Sequence, residues 1–324
     1  MYQRPTFQDI LRARHVISKF LPRTPLYHYP SLSRMLGFEA YVKHENHLPV
    51  GAFKVRGGIN LVSNLSEEER RRGVIAASTG NHGQSVAYAS KIFGVKAIVV
   101  VPRDANPGKV EAMRNLGAEV IFHGRDYEEA KLHAEELAEG EGYRYIHSGN
   151  EPLLIAGVGT IGLEIMEDLP DVEVIIVPVG GGSGASGVSI AAKAVNSHVK
   201  VIAVQAERAP SVYLSWREGR IVETESADTF AEGLATRRAF ELPLEIIRDL
   251  LDDFVLVSEQ ELREAILILL EKTHNLAEGA GAASLAAAVK LRESLGGRKV
   301  VLILSGGNLS KEKLNRALND EHSW

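Results

Sequence analysis

The sequence predicts an α/β protein built from two doubly wound domains with parallel sheets. Short β-branched apolar runs recur along the chain, helix-like amphipathic stretches separate them, and glycine- or hydroxyl-rich turns follow several of the runs. Strands that are apolar throughout are buried on both faces, and their alternation with helices implies parallel βαβ units.

Taken in order, strands are expected at Glu39 to Lys43, Val74 to Ala77, Ala97 to Val101 and Glu119 to Phe122. Further strands are expected at Val174 to Val179, Val199 to Val204, Phe254 to Val257 and Lys299 to Leu304. Ser66-x-x-Glu69 and Ser258-x-x-Glu261 fit capping boxes, in which a hydroxyl and a carboxylate satisfy the first free amides of a helix. The Ala-rich stretch Ala280 to Lys290, closed by Gly296-Gly297, suits a helix packed close against a sheet.

A chain of 324 residues with 45% hydrophobic content can bury a large core and is long enough for two domains. With 37 basic and 42 acidic residues, a net charge of -5 and no basic run, it is not expected to bind nucleic acid. The absence of cysteine excludes disulfides, thiolate metal sites and cysteine nucleophiles. Met1 to Pro5 form no apolar leader core, and no uncharged run approaches the roughly 18 apolar residues of a membrane helix. A cytoplasmic location, away from the membrane, is the expectation.

Lys54 lies in Pro49-Val50-Gly51-Ala52-Phe53-Lys54-Val55-Arg56-Gly57-Gly58, between an aromatic residue and glycines, just after a strand. A lysine amine acts as a nucleophile or base only when its charge is removed, by its surroundings or by a covalent partner such as a Schiff base. A surface lysine beside a turn is the competing interpretation.

After the strand Val174 to Val179 comes Gly180-Gly181-Gly182-Ser183-Gly184-Ala185-Ser186-Gly187, followed by a helical stretch. Such a turn exposes backbone amides at a helix N-terminus, where a phosphate can bind. Gly182-x-Gly184-x-x-Gly187 also fits the dinucleotide fingerprint, with Glu207 about 20 residues on where a ribose-binding acid would sit. A nicotinamide oxidoreductase is therefore a rival, as is a tight turn without a ligand.

Ser78-Thr79-Gly80-Asn81-His82-Gly83-Gln84-Ser85 follows the strand Val74 to Ala77 and suits a carboxylate, or simply caps a helix. Ser305-Gly306-Gly307-Asn308 ends the last strand. Ligands of open α/β sheets bind outside the carboxyl ends of strands, which puts all three loops on ligand-binding edges. His44-Glu45-Asn46-His47 lacks the spacing of a helical zinc site, and His123, His133 and His147 are scattered. No nucleophile elbow or P-loop is present.

Together these motifs resemble the fold-type II pyridoxal phosphate enzymes, specifically the serine/threonine dehydratase and serine racemase group. The resemblance runs almost end to end, through Lys43-His44-Glu45-Asn46, the Lys54 segment, Ser78 to His82, and Pro107 to Val120 with Lys109. It continues through Glu151-Pro152, Ile155-Ala156-Gly157, Thr160, the glycine loop, Phe230-Ala231-Glu232-Gly233 and Ser305 to Asn308. It implies pyridoxal 5'-phosphate as cofactor, with Lys54 as Schiff-base anchor and α-proton base and Phe53 beside the ring. Asn81 would bond the ring's 3-oxygen, Gly180, Gly181, Gly182, Ser183 and Gly184 would cradle the phosphate, and Gly233 would approach the ring. Ser78, Thr79, Gly80, Asn81 and His82 would bind the substrate, and Ser305 would face the ring nitrogen. A neutral hydroxyl there makes a weaker electron sink than a carboxylate partner, which suits β-elimination.

The implied reaction is loss of the β-hydroxyl from L-threonine, L-serine or a related amino acid, giving a 2-oxo acid and ammonia. The alternatives are a racemase, for which Thr79 would be the acid on the opposite face, and a non-catalytic cofactor or amino-acid binding protein. The expected division is a large cofactor-binding domain of residues 1–63 and 148–324, with a small domain, 64–147, inserted. The family pattern also implies a homodimer.

The sequence departs from that pattern in several places. Gln205, Ala209 and Ser211 stand where metal-activated relatives carry ligands, so no metal is expected. Val158 replaces a glutamine, and Glu278-Gly279 replaces Glu-Pro. With Trp324 as its end, the chain is expected to lack a C-terminal regulatory domain.

Overall fold

The computed structural model describes residues 2–319; Met1 and 320–324, including the chain end at Trp324, lie outside them. Among the described residues ten strands form: β1 Leu26–His28, β2 Glu39–His44, β3 Val74–Ala77, β4 Ala97–Val101, β5 Glu119–Phe122, β6 Arg144–Tyr145, β7 Val174–Pro178, β8 Lys200–Ala206, β9 Asp253–Val257 and β10 Lys299–Leu304. They make two sheets in two compact units, one of Met1–Leu21 with Lys54–Val158, the other of Pro22–Phe53 with Gly159–Trp324.

The first unit carries a parallel four-stranded sheet in the order β5-β4-β3-β6. Ile75, Ala77, Ile98 and Val100 pack with Ala130 and Ala134 of the helix Tyr127–Glu141, and β3 and β4 are buried throughout. The helix Lys54–Ser63 lies close to its neighbours because Gly57 and Gly58 have no side chains. A Cβ on Gly57 would sit 2.7 Å from the Leu154 side chain, and one on Gly58 would collide with Ser85. By this packing residues 54–63 and 148–158, expected with the larger domain, group with the four-stranded sheet.

The second unit carries a six-stranded sheet in the order β1-β2-β10-β7-β8-β9, parallel except for β1. The helix Gly279–Lys290 packs into its core, and the buried Ser284 hydroxyl reaches Ile176 O at 2.9 Å and Ile303 O at 3.0 Å, linking β7 and β10. In β2 the fully buried Lys43 places Nζ 2.6 Å from a Glu164 carboxylate oxygen and 2.8 Å from Thr24 O.

Both capping boxes expected from the sequence form, at Ser66 and Ser258, and a third forms at Thr6. The short strands β1 and β6 were not anticipated. Three and two residues are too few to show a period, and only pairing with β2 and β3 orders them.

Candidate active site

In the four-stranded sheet, the chain leaves β3 to one side and returns to the other as β6. The loops after β3 and β6 therefore flank the point where strand order reverses, which is where open α/β sheets bind ligands. Lys54 opens the helix Lys54–Ser63, its backbone oxygen accepts a 2.7 Å bond from the Ser85 hydroxyl, and its Nζ donates to Ser148 O at 3.3 Å. Enclosure of the amine lowers its pKa to about 8, so that about a tenth is neutral at pH 7.

The Ser78 hydroxyl accepts from the amides of Gly80 at 3.1 Å and Gly83 at 2.8 Å, and so shapes the loop from within. Asn81 is the first residue of the helix Asn81–Phe93, and Thr79, Gly80 and Asn81 are half-buried. A Cβ on Gly80 would lie 3.5 Å from Lys109 Nζ, which puts a cation beside the loop. The ring of buried His82 meets Ile146 O at 3.1 Å through Nε2. A carbonyl only accepts, so Nε2 carries the proton and Nδ1 is an acceptor, buried without a partner. Burial, reinforced by the charge of Lys54, lowers its pKa to about 3, so the ring is neutral.

In the six-stranded sheet the strand order reverses between β7 and β10. The glycine loop after β7 leads into the helix Ser183–Val195, whose N-cap is Gly182 at φ 89°, with no side chain capping the first amides. Close backbone contacts hold the loop in place. A Cβ on Gly180 would collide with Gly233 O, and one on Gly182 would sit 2.8 Å from Pro243; Gly233 has the same limit at 2.7 Å from Ala280. Gly281 packs on Gly306 in the same way, beside the buried Ser305. Phe53 donates its amide to Ser305 O at 3.0 Å, and its ring lies 3.3 Å from where a Gly184 Cβ would be. Gly180 to Gly184, Gly233, Ser305 and Phe53 are thus brought together in one unit, and Lys54, Ser78, Thr79, Gly80, Asn81 and His82 in the other.

These features fit a phosphorylated aldehyde. A 13-residue helix whose N-cap residue brings no side chain is reached through Gly180, Gly181 and Gly182, where a Cβ would come within 3 Å of a neighbour, which suits a phosphate ester. Lys54 offers an amine whose charge is easily lost, as imine formation requires.

Other candidates resolve differently. His44 stacks on His47 at 4.8 Å, with Nε2 2.9 Å from the Tyr29 hydroxyl, a structural cluster. Gln205 Oε1 accepts from Tyr213 N at 3.0 Å. His123 and His133, scattered in sequence, stack at 3.9 Å. His147 belongs to the turn that supplies Ser148 O to Lys54, which no spacing in the sequence signals.

The fold and site define an α/β enzyme equipped for Schiff-base chemistry on a phosphorylated cofactor. The sequence profile of the pyridoxal-phosphate dependent enzyme family matches residues 17–306, and the chain belongs to that family. Pyridoxal phosphate is accordingly its cofactor, in place of the nicotinamide alternative.

The chain is 46% identical to the L-threonine ammonia-lyase of Thermotoga maritima over 97% of its own length and 78% of that protein. It is 38% identical to the catabolic L-threonine dehydratase of Escherichia coli, over 95% and 94%. Its fold matches the structure of maize serine racemase with a TM-score of 0.93 at 32% identity, covering 98% of each chain.

Proposed function

We propose that the protein is a lyase that removes the β-hydroxyl of a small β-hydroxy amino acid, L-threonine or L-serine, giving a 2-oxo acid and ammonia. The observation that carries this reading is the enclosed Lys54 amine, with a pKa of about 8, in a chain similar over nearly its whole length to a threonine ammonia-lyase.

When bound, pyridoxal phosphate supplies an electron sink for the pair left at the α-carbon. Lys54 would anchor it and, with its amine free, would take the substrate's α-proton. The backbone amides at the start of the helix Asn81–Phe93, with the Lys109 cation, bind the substrate carboxylate, and His82 contributes through its main chain because its neutral ring is held by Ile146. Asn81 would hold the cofactor's 3-oxygen, the amides of Gly180 to Gly184 its phosphate, and Phe53 and Gly233 would bound its ring, with the uncharged Ser305 at its nitrogen. As the electron pair from the α-carbon forms the new double bond, the β-hydroxyl leaves with the pair of its C–O bond and takes the proton held by Lys54, so that it departs as water. The enamine that leaves tautomerises, takes up one water and loses ammonia.

Racemisation is a second reading, because Thr79 offers a half-buried hydroxyl in the loop after β3 and a serine racemase shares the fold. Incubation with L-serine and L-threonine, with assays for both 2-oxo acid and D-amino acid, separates the two. Failure to form 2-oxo acid from any β-hydroxy amino acid would overturn the elimination reading. Lys54→Ala should lower turnover at least about a thousandfold and abolish the borohydride-sensitive visible band.

A cytoplasmic homodimer without a metal requirement completes the proposal. Among the described residues no helix is long and apolar enough to cross a membrane.

A further inference from the structure

The turn after β6 has no part in the scheme above, yet it is tied down more heavily than a connection requires. His147 Nδ1 accepts from the amides of Gly149 at 2.9 Å and Asn150 at 3.0 Å, so this nitrogen is unprotonated. The Arg144 guanidinium spans the turn to meet both Glu151 carboxylate oxygens at 2.8 Å and reaches Glu69 at 3.3 Å. The outcome of these ties is one carbonyl, Ser148 O, fixed 3.3 Å from Lys54 Nζ.

We propose that His147 is a positioning residue for Lys54: its unprotonated Nδ1 closes the turn that presents the Ser148 carbonyl as a dock for the lysine amine whenever that amine is not bonded to the cofactor. An amine that donates one N–H to a fixed acceptor has its lone pair confined to the remaining directions. Both attack on the cofactor aldehyde and removal of the substrate's α-proton depend on where that lone pair points. A freely rotating amine on a four-carbon stem must find the direction anew in each turnover. The proposal rests on the reading of Lys54 as anchor and base.

The side-chain oxygen of asparagine can reach the same two amides that Nδ1 binds, as in an Asx turn, whereas phenylalanine keeps the ring volume and loses the acceptor. The test mixes cofactor-free, full-length protein with pyridoxal phosphate in a stopped-flow instrument and follows the imine absorbance. Binding of 4'-deoxypyridoxine phosphate, which has no aldehyde, is measured alongside. His147→Phe should attach the cofactor about tenfold more slowly, the equivalent of about one hydrogen bond, with unchanged affinity for the deoxy compound. His147→Asn should recover most of the rate. In the loaded enzyme, His147→Phe should raise the isotope effect on kcat with α-deuterated L-threonine or L-serine, and His147→Asn should not.

Wild-type attachment and an unchanged isotope effect in His147→Phe would overturn the proposal, as would a His147→Asn variant as slow as His147→Phe. Should His147→Phe fail to fold, Glu151→Gln, which loosens the Arg144 clamp across the same turn, decides in the same assays: slower attachment supports the dock and wild-type attachment overturns it. Lys54→Ala keeps the two levels apart. If it still gives a borohydride-reducible band, the reading of Lys54 itself falls; if the band is lost while His147→Phe behaves as wild type, only the role of His147 falls.

Discussion

Gly180 lies so close to the backbone carbonyl of Gly233 that no side chain fits between them. One residue of the glycine loop is thereby pinned to the turn Glu232–Leu234, and the loop proposed to hold the phosphate takes its shape from a segment more than 50 residues away. Gly180→Ala should push the two segments apart, with a cost of at least about 2 kcal/mol. Thermal melts should show this loss, and titration with pyridoxal phosphate should show affinity weakened at least tenfold.

The pH dependence of cofactor attachment follows from Lys54. Only the neutral amine attacks an aldehyde, and burial lowers the pKa to about 8. The rate of imine formation in cofactor-free protein should rise tenfold per pH unit below about 8 and level off above it. An exposed lysine would keep rising to about pH 10.

His44 and His82 make the fold sensitive to acid. Burial lowers their pKa values to about 4 and about 3, from 6.5 in the unfolded chain. As pH falls below 6.5 the unfolded state takes up protons that the folded state refuses, so stability is lost on the acid side and retained above it. Between pH 6.5 and 5 each should cost roughly 2 kcal/mol. Urea unfolding across this window measures the slope, and His82→Gln, which keeps a donor for Ile146 O, should reduce it.

The Lys43–Glu164 pair is buried and bonded at 2.6 Å. Lys43→Met leaves the carboxylate enclosed beside Glu45, whose own carboxylate accepts from the Thr24 hydroxyl at 2.7 Å, and should destabilise by about 3–5 kcal/mol. Lys43→Met with Glu164→Leu should recover most of that loss, because no unpaired charge remains. Chemical denaturation of the four members of the cycle gives the coupling.

Several site features were legible in the sequence because they are local. The glycine loop shows itself by five glycines in eight residues after an apolar run, and the Ser78 loop by its hydroxyls and amides at the same kind of junction. Lys54 stands apart from the other lysines by its flanking phenylalanine and glycines. The role of Ser148 was not legible, since it acts through a backbone carbonyl and every residue has one. The commitment of the His82 ring to Ile146 was equally hidden, because the two meet only where β3 and β6 pair.

By itself the sequence determined the fold class, the two sheets and the loops proposed to carry the chemistry. Strand periodicity, glycine conformational freedom and helix capping act over a few residues and can be read in order along the chain. Only the tertiary structure decided which residues form each compact unit, that the Lys54 amine is enclosed and shifted to about 8, and that His147 closes the turn beside it. Burial and pairing depend on residues brought together from distant parts of the chain, and a pKa follows that enclosure rather than the neighbouring letters.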